Sequence, residues 1–146
     1  MIKAVIDTNV LVSALSSRSV YHWLIEALLD EQFQMFVTDE ILLEYDEVLS
    51  SKYAPSVANN FLIALKELPN VSFTHIYFRW DLIADKDDNK FVDCYVASGA
   101  NYLVTHDTHF NVLRSLPFPK VDVMKIDEFR LILEEKNDRD YPGKKI

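Results

Sequence analysis

At 146 residues, 49% of them hydrophobic and 12% aromatic, the chain has the size and apolar content of one domain around a single core. Its formal charge of −8 excludes a broad basic surface for nucleic acid, so any action on nucleic acid must be local, with cations reversing the field inside a site. The lone cysteine, Cys94, rules out an intrachain disulfide, the five Pro and two Gly form no linker, and the apolar run 4–6 is too short for a signal core or a membrane span, so a cytoplasmic location is expected.

The apolar run 2–6, stopped by Asp7, predicts a buried strand, and residues 10–15 a short helix behind Thr8 and Asn9. Ser19 is placed to cap a second helix reaching about residue 30, with Tyr21, Leu24, Ile25 and Leu28 at helical spacing. A strand is expected over 33–37 and then a helix over 39–50, capped by Thr38 and burying Ile41, Leu42, Tyr45, Val48 and Leu49. A further helix spans about 56–68, and the β-branched and aromatic run 71–78 reads as extended. Asp87 and Asp88 open the next helix, which Gly99 closes. A strand over 102–105, a short helix over 108–113, a last strand over 121–126 and a final helix begun by Asp127 follow. Residues 1–136 thus form the expected domain and 137–146 a frayed polar tail. Strands alternating with helices predict a three-layer α/β/α sandwich around a mainly parallel sheet, whose sites lie at the carboxyl ends of strands.

Asp7 and Asp107 each follow a short apolar strand, so in a parallel sheet their carboxylates project at the same edge. Asp88, in the first turn of its helix, faces that edge too. On the helical wheel Glu44 and Asp46 flank the apolar stripe on opposite sides, and periodicity does not choose between them. Carboxylates gathered at one point repel each other unless cations join them. Their oxygen donors suit Mg²⁺, whereas zinc would want Cys or His ligands.

The segment Val5-Ile6-Asp7-Thr8-Asn9-Val10, residues 38–49 (TDEILLEYDEVL) and residues 85–110 (DKDDNKFVDCYVASGANYLVTHDTHF) resemble, in that order, the acidic segments of the PIN-domain family. The likeness covers roughly residues 1–135 and is greatest to the toxin components of bacterial toxin–antitoxin pairs. It implies a Mg²⁺- or Mn²⁺-dependent endoribonuclease for single-stranded RNA, with Asp7, Glu44, Asp88 and Asp107 as metal ligands and catalytic acids. Asn9 and Thr105 would orient those acids. An antitoxin protein and a second copy of the chain are the partners to look for, and no membrane. Asp85, Asp87 and Asp93 compete with Asp88 for the third place; Asp88 is preferred because its 11-residue distance to Gly99 matches the family's helix. Lys86 and His106 depart from the residues usual at their positions.

Blander readings stand beside these. Asp7 and Asp107 could merely cap helices, Glu44 could be a surface acid, His106 and His109 could be surface side chains, and Trp23 and Trp80 could serve packing. Arg18 and Lys90 are candidate phosphate contacts. A catalytically silent module of the same fold, binding RNA or a protein, is the alternative function. A phospho-acceptor receiver domain is disfavoured, since its adjacent acidic pair after the first strand is missing.

Overall fold

A computed structural model describes residues 1–140. Five short strands, β1 (Lys3–Ile6), β2 (Gln34–Val37), β3 (Val71–Phe73), β4 (Tyr102–Val104) and β5 (Val123–Met124), form one parallel sheet in the order β3-β2-β1-β4-β5. Six α-helices connect and follow them among the described residues: α1 (Thr8–Leu15), α2 (Trp23–Leu29), α3 (Asp39–Lys52), α4 (Pro55–Glu67), α5 (Asn89–Ser98) and α6 (Ile126–Asp140). From β1 the chain steps one way along the sheet to β2 and β3, then back across it to β4 and β5. Right-handed crossovers put those two sets of connections on opposite faces, which gives the expected α/β/α sandwich.

Burial on both faces explains the strand sequences. Ala4, Val5 and Ile6 of β1 are fully buried, as are Met35 and Val37 of β2 and Leu103 and Val104 of β4. Phe33, Tyr45, Phe91, Phe110 and Phe129 are the largest enclosed aromatic side chains, each contributing on the order of 2 kcal/mol through removal from water. Cys94 is buried among them as an apolar filler, and burial pushes its thiol up to about 12, so it stays unionised.

Several local expectations shift. Helix α1 starts at Thr8, two residues before the apolar run, because Asp7 already accepts the first helical bond through its carbonyl from the Leu11 amide. Ser19 does not cap α2; its hydroxyl accepts from the Tyr21 amide in a turn, and the helix begins only at Trp23. The extended run 71–78 pairs only as far as Phe73, plus the Thr74 amide bonded to the Val37 carbonyl. The last strand is two residues rather than six, because β4 offers it only two paired positions. Helix α6 continues to Asp140, through the first four residues of the tail expected at 137–146; positions 141–146 lie outside the described residues.

The strand order reverses between β1 and β4. Ile6 pairs with Val104, so the residues that follow, Asp7 and Thr105, emerge side by side at the carboxyl edge where connections leave on opposite faces. That crevice is where doubly wound sheets hold their ligands.

Candidate functional site

Asp7 is 6% exposed, at the end of β1. Its Oδ2 accepts the Thr105 hydroxyl at 2.7 Å, and the Thr105 oxygen accepts the Asp107 amide at 3.0 Å. This chain of bonds exists because β1 and β4 are neighbours, and it fixes the direction of the Asp7 carboxylate. Asp107 in turn accepts the His109 amide through Oδ1 at 2.9 Å, capping the 3-10 helix Thr108–Ser115. The capping role weighed for Asp107 is therefore real and leaves its second oxygen outside the cap. Asp7 makes no side-chain cap bond, so capping does not account for it.

Glu44 lies one and a half turns into α3 and leans toward the starts of α1 and α5, where the Thr8 hydroxyl donates to its Oε2 and the Lys90 ammonium sits 2.9 Å from its Oε1. Asp46, its rival on the wheel, instead accepts from Ser50 on its own helix at 3.4 Å. Asn9 is exposed and makes no side-chain hydrogen bond among the described residues; Thr8, buried beside it, is the neighbour that reaches an acid. Sequence reasoning passed over Thr8 because the helix was expected to begin later.

The stretch around Asp88 is two structures in succession. A 3-10 turn, Lys86–Asp88, is capped by Asp85, whose Oδ1 accepts the Asp87 amide at 3.1 Å, and α5 follows. Asp85 and not Asp87 is thus the cap, and Asp87 is exposed. Asp88 is half-buried and its Oδ2 stands 3.3 Å from His109 Nδ1, which is also 3.4 Å from Asp107 Oδ1. The ligand atoms of Asp85, Asp88 and His109 lie within 4.8 Å of one another, and this is the one such group of three or more among the described residues. Asp107 borders this group through its contact with His109, and Asp7 lies within the fields of Asp88 and Glu44. Asp93 is elsewhere: 2% exposed, with Oδ1 accepting the Trp80 amide at 2.9 Å. His106 packs its ring on Tyr21 and Trp23 lies under Arg130, both packing uses.

Electrostatics single out Asp7. Burial pushes its carboxyl up from 3.8 to about 6, against the lowering by Thr105 and the Thr8 amide, and the charges of Asp88 and Glu44 add to the rise. Asp88 is raised by burial, offset by the His109 hydrogen bond and reinforced by Asp107 and Asp85. His109 is raised through its hydrogen bond to Asp88 and the charge of Asp107. Ionised together, these acids want a cation. Carboxylate oxygens with one imidazole in reach form a hard donor set of the kind that fits a divalent cation such as Mg²⁺ or Mn²⁺, and Asp7, Asp88 and Asp107, with Asp85 and His109 beside them, could hold it.

The shifts fix a pH dependence. A carboxyl raised on folding binds its proton more tightly in the native state, so stability falls as pH rises from about 4 through about 6. For Asp7 the loss amounts to about 3 kcal/mol. His109 acts in the same direction at higher pH, since a raised imidazole contributes below 6.5 and loses that contribution above its folded pKa. Among the described residues outside the crevice, Glu40, held low by its Arg79 hydrogen bond, runs the other way. Chemical denaturation in chelator at pH 5 and pH 7.5 should therefore show a less stable protein at the higher pH, and equal stabilities would deny Asp7 its burial.

In fold the chain is similar to the VapBC2 structure from Rickettsia felis bound to a DNA fragment from their promoter, with TM-score 0.58 and 16% identity over 85% of this chain and 98% of that one. It also aligns with the T. brucei RRP44 PIN domain, at TM-score 0.49 and 13% identity over 94% of this chain and 84% of that one. No curated protein sequence matches it. A family model described as PIN domain matches residues 3–109, from the first strand to the start of the 3-10 helix that carries His109. That match covers well over half of the sequence, and the chain belongs to the PIN-domain family.

Proposed function

We propose that this protein is a Mg²⁺- or Mn²⁺-dependent endoribonuclease cleaving single-stranded RNA, the toxin of a toxin–antitoxin pair with an antitoxin protein as its partner and a homodimer as its assembly. Family membership supports a nuclease role, and the motif likeness to toxin components, together with the fold likeness to VapBC2, supports the toxin assignment. Among the described residues no helix is long and apolar enough to cross a membrane, which is compatible with action in the cytoplasm.

The carrying observation is the buried Asp7 carboxylate at the strand crossover, aimed by Thr105 and short of positive charge. A bound divalent cation would supply Lewis acidity toward water and the phosphodiester. The chain's own groups do the positioning. Thr105 ties Asp7 to the Asp107 amide, so the two strand-end carboxylates keep one spacing. Thr8 and Lys90 hold both oxygens of Glu44, and Lys90 brings a cation to the edge of the crevice where a phosphate would enter. His109, between Asp88 and Asp107, gives those acids a partner before metal arrives.

A labelled single-stranded oligoribonucleotide should be cut when Mn²⁺ or Mg²⁺ is added to chelated protein, giving 5′-phosphate and 3′-hydroxyl ends, and not in chelator. Thermal midpoints should rise with MnCl₂ more than with NaCl of matched ionic strength, because the cation binds the native state alone. Cleavage that persists in chelator would exclude the metal-dependent reading. Metal stabilisation without any cleavage would leave the silent-module alternative in its place.

A further inference from the structure

Between β3 and the 3-10 turn, residues 74–84 have no regular structure yet are firmly anchored. Asp93 Oδ1 accepts the Trp80 amide, and the Asn89 side chain accepts the Ile83 amide and donates to the Ile83 carbonyl, all at 2.9 Å. So held, the segment divides its side chains. Phe78 and Trp80 turn one way, Trp80 lying edge-on to Phe78 and Phe118 with ring centroids 4.8 Å and 5.4 Å apart. Tyr77 and Arg79 turn the other way and, with His75, Lys90 and Asp93, line a groove of about 280 Å³ beside the start of α3.

Two features of this groove are unexplained by the fold. Tyr77 is 94% exposed, a large ring with nothing packed on it. Asp93 spends Oδ1 on Trp80, while no hydrogen bond reaches its Oδ2 among the described residues, and that oxygen is open to the groove that Asp93 lines. An open carboxylate oxygen is an acceptor that an N–H of a ligand can reach. The groove joins the acid crevice through Lys90, which lines it and stands 2.9 Å from Glu44. Its size admits one planar base rather than a protein helix.

Resting on the ribonuclease reading above, we infer that this groove is the subsite for the nucleotide flanking the scissile phosphate, its base stacked on Tyr77 and an N–H donor of that base bonded to Asp93. An exposed aromatic ring on which a base can stack, with cationic side chains such as Arg79 and Lys90 in reach of the backbone, is how single-stranded RNA is held. Arg79 pairs with Glu40 at 2.5 Å with both side chains more than half exposed, a weak attachment that an entering phosphate can exchange.

Binding of a fluorescein-labelled single-stranded oligoribonucleotide, followed by anisotropy in chelator, tests this alongside cleavage in Mn²⁺. Tyr77→Ala should weaken binding about tenfold or more, and Tyr77→Phe, which keeps the ring, should restore it. Because Tyr77 is exposed, an unchanged melting temperature separates the loss from misfolding. An abasic residue next to the cleaved bond should weaken wild-type binding by a similar factor and the Tyr77→Ala variant no further. Equal affinities for wild type and Tyr77→Ala, or additive losses in that cycle, overturn the subsite and leave the ribonuclease standing. Loss of protein–protein association instead of RNA affinity in Tyr77→Ala also overturns it, as a docking face. Absence of RNA cleavage by wild type under every divalent metal overturns the reading on which it rests.

Discussion

Asp7→Asn should lose at least about a hundredfold in cleavage while making the metal-free protein more stable than wild type. Both effects come from one charge. At pH 7.5 the wild-type carboxylate is ionised although burial holds its pKa near 6, so the fold carries an electrostatic penalty that the neutral amide lacks. The Asn oxygen can still accept from Thr105, which preserves the link to β4. The gain is on the order of 1 to 3 kcal/mol, or several degrees in melting temperature, measured in chelator. The same variant should show little further rise on adding Mn²⁺, because the charge that draws the cation is gone. Retained cleavage would sink the metal centre, and a destabilised variant would show that Asp7 serves the fold and not a ligand.

The second large effect separates the acids around the start of α5. Asp88→Asn should remove most cleavage and most of the metal-induced rise in melting temperature, because Asp88 alone in this stretch lies half-buried against His109, within the field of Asp107 and Asp7. Asp93 is five residues on, about 140° further around the helix, and bonded to Trp80. Asp93→Asn should keep the metal-induced rise, since its amide oxygen can still take the Trp80 amide. Asp87→Asn should change little, as the cap is Asp85. Melting curves of the three variants with and without Mn²⁺ decide the matter. An Asp93→Asn protein blind to metal, with Asp88→Asn responding normally, would move the centre more than a turn along α5.

How much of this was legible in the sequence depended on whether a signal was local. Asp7 and Asp107 stood out because each ends an apolar strand, and a parallel sheet sends both to one edge. That β1 and β4 are adjacent was not legible, since strand order is decided by packing across the whole chain; with it went the Thr105 bond as a geometric fact. Gly99 was readable as a helix end, and its left-handed backbone, φ 69°, is the conformation glycine adopts most easily. The 3-10 turn before α5 was not, because Asp85, Asp87 and Asp88 are equally good caps by composition and only the backbone path chooses among them. Residues 74–78 have strand-forming side chains but no neighbour to pair with beyond Thr74. Their propensity was correctly read, and the anchoring of that segment by Asp93 and Asn89 needed the folded α5.

The hydrogen bond between Thr105 and Asp7 spans 98 positions of sequence. A ribosome that has released the first hundred residues has therefore made Asp7, Glu44 and Asp88 but nothing to aim the first of them, and the central strand still lacks one of its two neighbours. The crevice closes only when β4 and the loop beyond it leave the exit tunnel, so the growing chain carries no assembled site before then. For a ribonuclease of the kind proposed, whose action would threaten the messages being translated around it, that delay is built into the order of its strands.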